Sequence, residues 1–149
     1  MILDQFCVYT RRFERFPDSL YEVSSLRFLD LSDNQMFEVP DSISKLRRLE
    51  SLLLAFNQLE RIPDSICTLT GLHMLWLGNN RLRALPKRFG QLINLDWGLR
   101  HTPSAVIDGN PMDRPPIDVC KKGVDAIAKY LAADNSGNAS SPPKTRRRR

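Results

Sequence analysis

At 149 residues, 42% hydrophobic and 26% charged, the chain has the length and balance of one soluble domain with a modest core. It contains no apolar run near the roughly 20 residues that a membrane-spanning helix needs, and its start, MILDQF, lacks the basic-then-apolar order of a secretory signal. The net charge of +5 sits almost wholly at one end: Lys144 and the four arginines Arg146 to Arg149, against Asp134 alone, give the last 16 residues +4.

The chain repeats itself every 23 residues: Leu26, Leu49, Leu72 and Leu95 open successive copies, and Pro17, Pro40, Pro63 and Pro86 recur at the same interval. A fixed period of this size marks a solenoid. Met1 to Val23 reads as a divergent repeat zero, starting near Leu3, with Phe6, Val8, Phe13, Phe16, Leu20 and Val23 in framework positions. It has no polar cap before it, so either this repeat is itself the cap or the chain is one end of a longer solenoid.

Repeats one to three carry Leu-x-Leu alternation, which places both leucines inward from a short strand. Asn34, Asn57 and Asn80 stand where the chain leaves that strand, and a buried amide there bonds unpaired backbone groups of adjacent coils. Pro-Asp-Ser at 17–19, 40–42 and 63–65 predicts a tight helical turn on the outer face, because proline suits the first helical position and aspartate the positive end. In repeat three the triplet is Pro86-Lys87-Arg88, a basic and solvated corner.

Repeat four begins on schedule with Leu95-Asp96-Trp97, but its asparagine, Asn110, arrives seven residues late. Residues 98–104 (GLRHTPS) therefore read as an inserted loop, with Ala105 and Ile107 in the inward strand positions. Pro115-Pro116 ends the solenoid path, and Asp118 opens a capping helix over 118–131 with Val119, Val124, Ile127 and Leu131 on one stripe. Residues 132–149 have the composition of a disordered basic tail.

The pattern L-x-x-L-x-L-x-x-N with Pro-x-x-[IL] outer turns resembles the intracellular leucine-rich-repeat family in its 23-residue subclass, that of the Ras-suppressor, Erbin, Scribble and plant Ras-group proteins. The ending, Asn110-Pro111-Met112 through Pro115-Pro116 to Tyr130-Leu131, is similar to that of leucine-rich-repeat proteins with a calmodulin-binding IQ segment, although no IQ segment follows. The resemblance covers residues 3–131. It implies an α/β solenoid with short parallel strands on the concave face, short helical turns on the convex face and a C-terminal capping helix. For function it implies protein–protein binding and scaffold or adaptor work, small-GTPase signalling included, rather than one activity.

Nothing in the residues points to catalysis, a metal or a cofactor. His73 and His101 have no cysteine or carboxylate at ligand spacing, no glycine-rich phosphate loop occurs, and Cys67 has no base near it in sequence. The three cysteines, Cys7, Cys67 and Cys120, are odd in number and far apart, which favours a reducing compartment, the cytoplasm. Binding is expected of the strand side chains that alternate outward onto the concave face: Phe28, Leu53, Phe56, Met74, Trp76 and Trp97 as an apolar cluster, with Asp30 as a polar anchor at its rim. Ala55 and Gly78 beside them leave a partner room to approach. The alternatives are a nuclear or nucleic-acid role through Arg146 to Arg149, which the absence of interleaved aromatics disfavours, or a truncated variant of a larger leucine-rich-repeat protein.

Overall fold

The computed structural model describes residues 4–8, 12–97 and 106–136. Four strands of three residues, β1 (Gln5–Cys7), β2 (Phe28–Asp30), β3 (Ser51–Leu53) and β4 (Met74–Trp76), form one parallel sheet in the order β1-β2-β3-β4. The register follows the repeat: Phe6 pairs with Leu29, Leu29 with Leu52 and Leu52 with Leu75. A parallel pair needs a crossover, and here each crossover is one outer turn. These turns are 3-10 helices at Asp18–Glu22, Asp41–Lys45 and Asp64–Thr68, each entered from an extended proline. Where Lys87-Arg88 replaces Asp-Ser, the helix shrinks to Phe89–Gln91.

Between sheet and outer turns lies one apolar column. Leu29, Leu52 and Leu75 from the strands meet Ile43, Ile66 and Phe89 from the turns, all at 2% exposure or less. Burying a leucine contributes about 1.5–3 kcal/mol, but a coil gains it only when its neighbours cover both sides. The first coil shows the other case. Phe6, Val8, Phe13 and Val23 are only half-buried, although Leu29, Leu31, Met36 and Leu46 in the equivalent positions one repeat on are sealed.

The asparagines form a ladder along one side of the column. The Asn57 amide donates to Leu31 O (3.0 Å) and Leu54 O (3.1 Å), and its Oδ1 accepts from Met36 N–H (3.0 Å). Asn80 repeats this one coil on with Leu54 O, Leu77 O and Leu59 N–H. Asn110 does the same with Leu77 O, Ile107 O and Leu82 N–H, but its link to Leu82 spans 28 residues where that of Asn57 to Met36 spans 21. The seven extra residues are thus absorbed before the ladder resumes. Leu77 N–H donates to Val106 O and Asn79 N–H to Asp108 O, so 106–108 continue the sheet's hydrogen bonding, with Ile107 facing the core at 2% exposure. The expected loop 98–104, with Ala105, lies outside the described residues.

The far end is closed by two helices rather than one. The expected 118–131 helix is divided into α1 (Ile117–Cys120) and α2 (Val124–Ser136) at Gly123, whose φ of +105° only glycine adopts readily. Helix α2 seats on the last outer turn, where a Cβ on Gly90 would fall 2.6 Å from that of Ala128. It also runs past the expected start of the tail at 132. Ala132 and Ala133 are strong helix formers, and Asp134 pairs with Arg114 at 3.8 Å. The rest of the tail, from 137 on, lies outside the described residues.

Candidate protein-binding face

Each coil places four side chains on the concave side: the first and third residues of its strand and two residues of the turn that follows. The resulting rows run across the coils as Gln5, Phe28, Ser51 and Met74, then Cys7, Asp30, Leu53, Trp76 and Val106, then Ser32, Ala55, Gly78 and Asp108, and last Asp33, Phe56, Asn79 and Gly109. The third row holds a trough of small, buried residues in Ser32, Ala55 and Gly78.

In the fourth row the backbone turns left-handed: φ is 55° at Asp33, 56° at Phe56, 55° at Asn79 and 76° at Gly109. Aspartate, asparagine and glycine are the residues that tolerate this region, and a bulky aromatic there is an outlier. Phe56 nonetheless occupies it, with 52% of its surface exposed. A Cβ on Gly109 would meet the Asn79 Oδ1 at 2.5 Å, so the last position of the row requires glycine on two counts. The conformation penalises phenylalanine and the exposed ring gains no burial in return. Phe56→Asn is therefore expected to raise stability by about 1 kcal/mol, read as a shift in the urea midpoint.

Of the seven side chains expected to meet a partner, four are accessible. Phe56 is exposed, and Phe28, Met74 and Trp76 are half-buried, Trp76 also leaning on the main core. Leu53 is corrected. It is 5% exposed, buried on the concave side between its row neighbours Asp30 and Trp76 and outside the main core. Asp30 is corrected likewise. It is 5% exposed, and its Oδ1 accepts the Ser32 N–H at 2.9 Å, which makes it a brace for the turn rather than a rim anchor. Trp97 is no concave residue at all. At 4% exposure it packs edge-on against Phe89, ring centres 5.2 Å apart, and donates Nε1–H to Cys120 O at 2.9 Å. Since the backbone bonds that continue from β4 fall at Val106 and Asp108, seven residues later than the 23-residue count, the slot Trp97 holds by counting belongs to the joint between the last coil and the cap.

A family model described as a leucine-rich repeat region matches residues 16–101, more than half of the chain. The chain belongs to the leucine-rich-repeat family. Among solved structures it is similar to a leucine-rich-repeat protein of Leptospira interrogans, 32% identical with a TM-score of 0.68 over 87% of this chain and 29% of that one. It is also similar to a chain of the BIR3–SERK2 complex of Arabidopsis thaliana (28% identical, TM-score 0.58, over 72% of this chain and 65% of that one). A third likeness is to the plant peptide hormone receptor RGFR1 in complex with RGF2 (29% identical, TM-score 0.55, over 66% of this chain and 15% of that one). The chain thus spans less than a third of the Leptospira protein and at most 65% of these plant chains. Among curated proteins none matches it.

The three cysteines differ in their surroundings. Cys7 is exposed on β1, whereas Cys67 and Cys120 are buried and all three are free. Burial pushes the Cys67 thiol up to about 11, with the Asp64 carboxylate adding to it and Arg88 opposing, and burial does the same for Cys120. A thiol whose folded pKa is raised from 9.0 contributes stability that is intact below pH 9 and is lost as pH climbs through 11. Thermal midpoints measured from pH 8 to 11 should fall less steeply in a Cys67→Ala/Cys120→Ala variant. Thiol reagents should modify one cysteine in the native chain and three after unfolding.

Proposed function

We propose that the chain is a non-enzymatic binding module that captures a protein partner on its concave face and serves as a scaffold or adaptor in intracellular signalling. One observation carries this reading: Phe56 is held exposed in a backbone conformation that disfavours it, across the small-residue trough from the half-buried Met74 and Trp76. Stability alone would place asparagine or glycine there, as at Asn79 and Gly109, whereas exposed aromatics around a trough of small residues are what an interface uses. The similarity to RGFR1 and to the BIR3–SERK2 complex, each solved with a peptide or protein partner, supports the class. The free cysteines fit a reducing compartment and the 23-residue subclass of the Ras-suppressor and Scribble type.

The test is affinity capture with wild type beside Phe56→Asp/Trp76→Asp, both checked for folding by circular dichroism. Partners held by the wild type should be lost from the variant. Phe56→Asn gives the sharper form, since it should bind its partner at least tenfold more weakly while melting higher. Undiminished capture by a folded double variant would refute the concave site.

A further inference from the structure

The flank where the chain enters its strands carries a charged cluster separate from the concave rows. Arg27 N–H donates to Asp4 O, Glu50 N–H to Arg27 O and His73 N–H to Glu50 O, which sets these four residues side by side across the coils. Two residues earlier in each repeat stand Ser25, Arg48, Gly71 and Asn94, with Arg47 beside Arg48. Together Arg27, Arg47, Arg48, Gly71 and His73 line a surface cavity of about 530 Å³, to which Asp4 and Glu50 also contribute.

The donors of this cavity are placed for a ligand. The Arg27 guanidinium meets Glu50 at 3.2 Å, an exposed pair that adds little stability but fixes where its N–H groups stand. Arg47 and Arg48 are exposed, and among the described residues neither has a carboxylate within ion-pair reach. His73 Nδ1 lies 2.7 Å from Gly71 O. A carbonyl oxygen only accepts, so Nδ1 carries its proton and Nε2 is the nitrogen a ligand can meet. Gly71, next to Arg48 in its row, adds no side chain to this space. The fold does not ask for glycine there: its φ is not left-handed, and a Cβ would meet only Leu49 O, at 3.8 Å.

We propose that this cavity is a phosphoryl site, taking a phosphoserine or phosphothreonine of the protein seated on the concave face. This builds on the concave face holding a partner, and the two are contiguous: Arg27, Glu50 and His73 immediately precede Phe28, Ser51 and Met74 of its first row. A segment lying on that row passes the cavity at the strand entry. The charge selects the group. Three arginines against Asp4 and Glu50 leave +1, and a proton on His73 Nε2 makes it +2, which matches a phosphomonoester of about −1.5 to −2. A carboxylate carries one charge and two oxygens, which a single arginine fork saturates. Three phosphoryl oxygens can instead engage Arg47, Arg48 and His73 together, and arginine clusters are a general means of reading phosphorylated residues. The two carboxylates disfavour a membrane or a nucleic acid. Those polyanions select runs of lysine and arginine, whereas here Asp4 and Glu50 stand on either side of Arg27 in its row.

The test titrates the full chain into labelled peptide pools, randomised except for a central phosphoserine, serine or glutamate, and reads fluorescence anisotropy. The phosphoserine pool should bind roughly tenfold more tightly than either of the others. Arg47→Gln/Arg48→Gln should erase that preference, and so should Gly71→Glu, which sets a carboxylate in the cavity. Thermal midpoints should stay near that of the wild type, since all three positions are exposed. Equal binding of the phosphoserine and glutamate pools would overturn the proposal, as would a preference that survives in both variants. Inorganic phosphate and vesicles containing phosphoinositide form separate arms. Tighter binding of either than of the phosphoserine pool would overturn it in favour of a free ion or a membrane. A wild type that captures its partner through Phe56 and Trp76 yet ignores the phosphate fails here alone. A phosphoserine preference in a chain whose capture survives Phe56→Asp/Trp76→Asp refutes only the concave site.

Discussion

Asn57→Ala is expected to destabilise the chain by on the order of 3–5 kcal/mol, because it strands three backbone groups in a place water does not reach, each costing about 1–3 kcal/mol less what relaxation recovers. Those groups are Leu31 O, Leu54 O and Met36 N–H, and Asn57 itself is 8% exposed. Against the 5–15 kcal/mol typical of a whole domain this is a large share. The position in the stack makes a second expectation. Asn80 has the same buried partners one coil on and should cost as much. Asn34 shares its cross-coil bonds with the half-buried first coil, through Val8 O and Phe13 N–H, and Asn110 is itself only half-buried, so their alanine variants should cost less. Urea unfolding followed by circular dichroism would read the order. A loss at Asn57 below 1 kcal/mol, or one no larger than at Asn34, would contradict the ladder as the fastening between coils.

That ladder was legible from sequence because its cause is local and periodic. A fixed interval of 23 residues forces equivalent residues into equivalent places, so Leu29, Leu52 and Leu75 could be placed inward, and the strands located, without knowing what they touch. The same counting recovered Ile107 after the insertion, since Asn110 can fill its slot in only one register. What counting could not supply was depth. Leu53 and Asp30 do face the concave side, but burial there depends on the bulk of the row neighbours and on a turn bond to Ser32, neither of which has a period. The sequence also carries a conformational signal at the end of each strand turn. Aligned by repeat, Asp33, Asn79 and Gly109 mark a left-handed position, and Phe56 is the residue among them with no conformational reason to be there.

Trp97 marks where periodic reasoning fails, and it yields the other large prediction. Counting from Leu95 gives it a concave slot, but the chain has already left the sheet, and its indole instead ties the last coil to α1 and α2. Trp97→Ala should cost about 3–5 kcal/mol, the usual loss for truncating a buried tryptophan, and Trp97→Phe, which keeps most of the ring and loses the bond to Cys120 O, only about 1–2 kcal/mol. Coils in a solenoid depend mainly on their neighbours, so the damage should begin at the cap. Limited proteolysis ought to open α2 first, while β2 to β4 and their face persist. A partner held through Phe56 and Trp76 would then still be captured by Trp97→Ala at temperatures below the unfolding of the repeats. If capture vanished from this variant with the cap still protected from protease, Trp97 would have to contact the partner after all, and the buried indole at the joint would not account for its role.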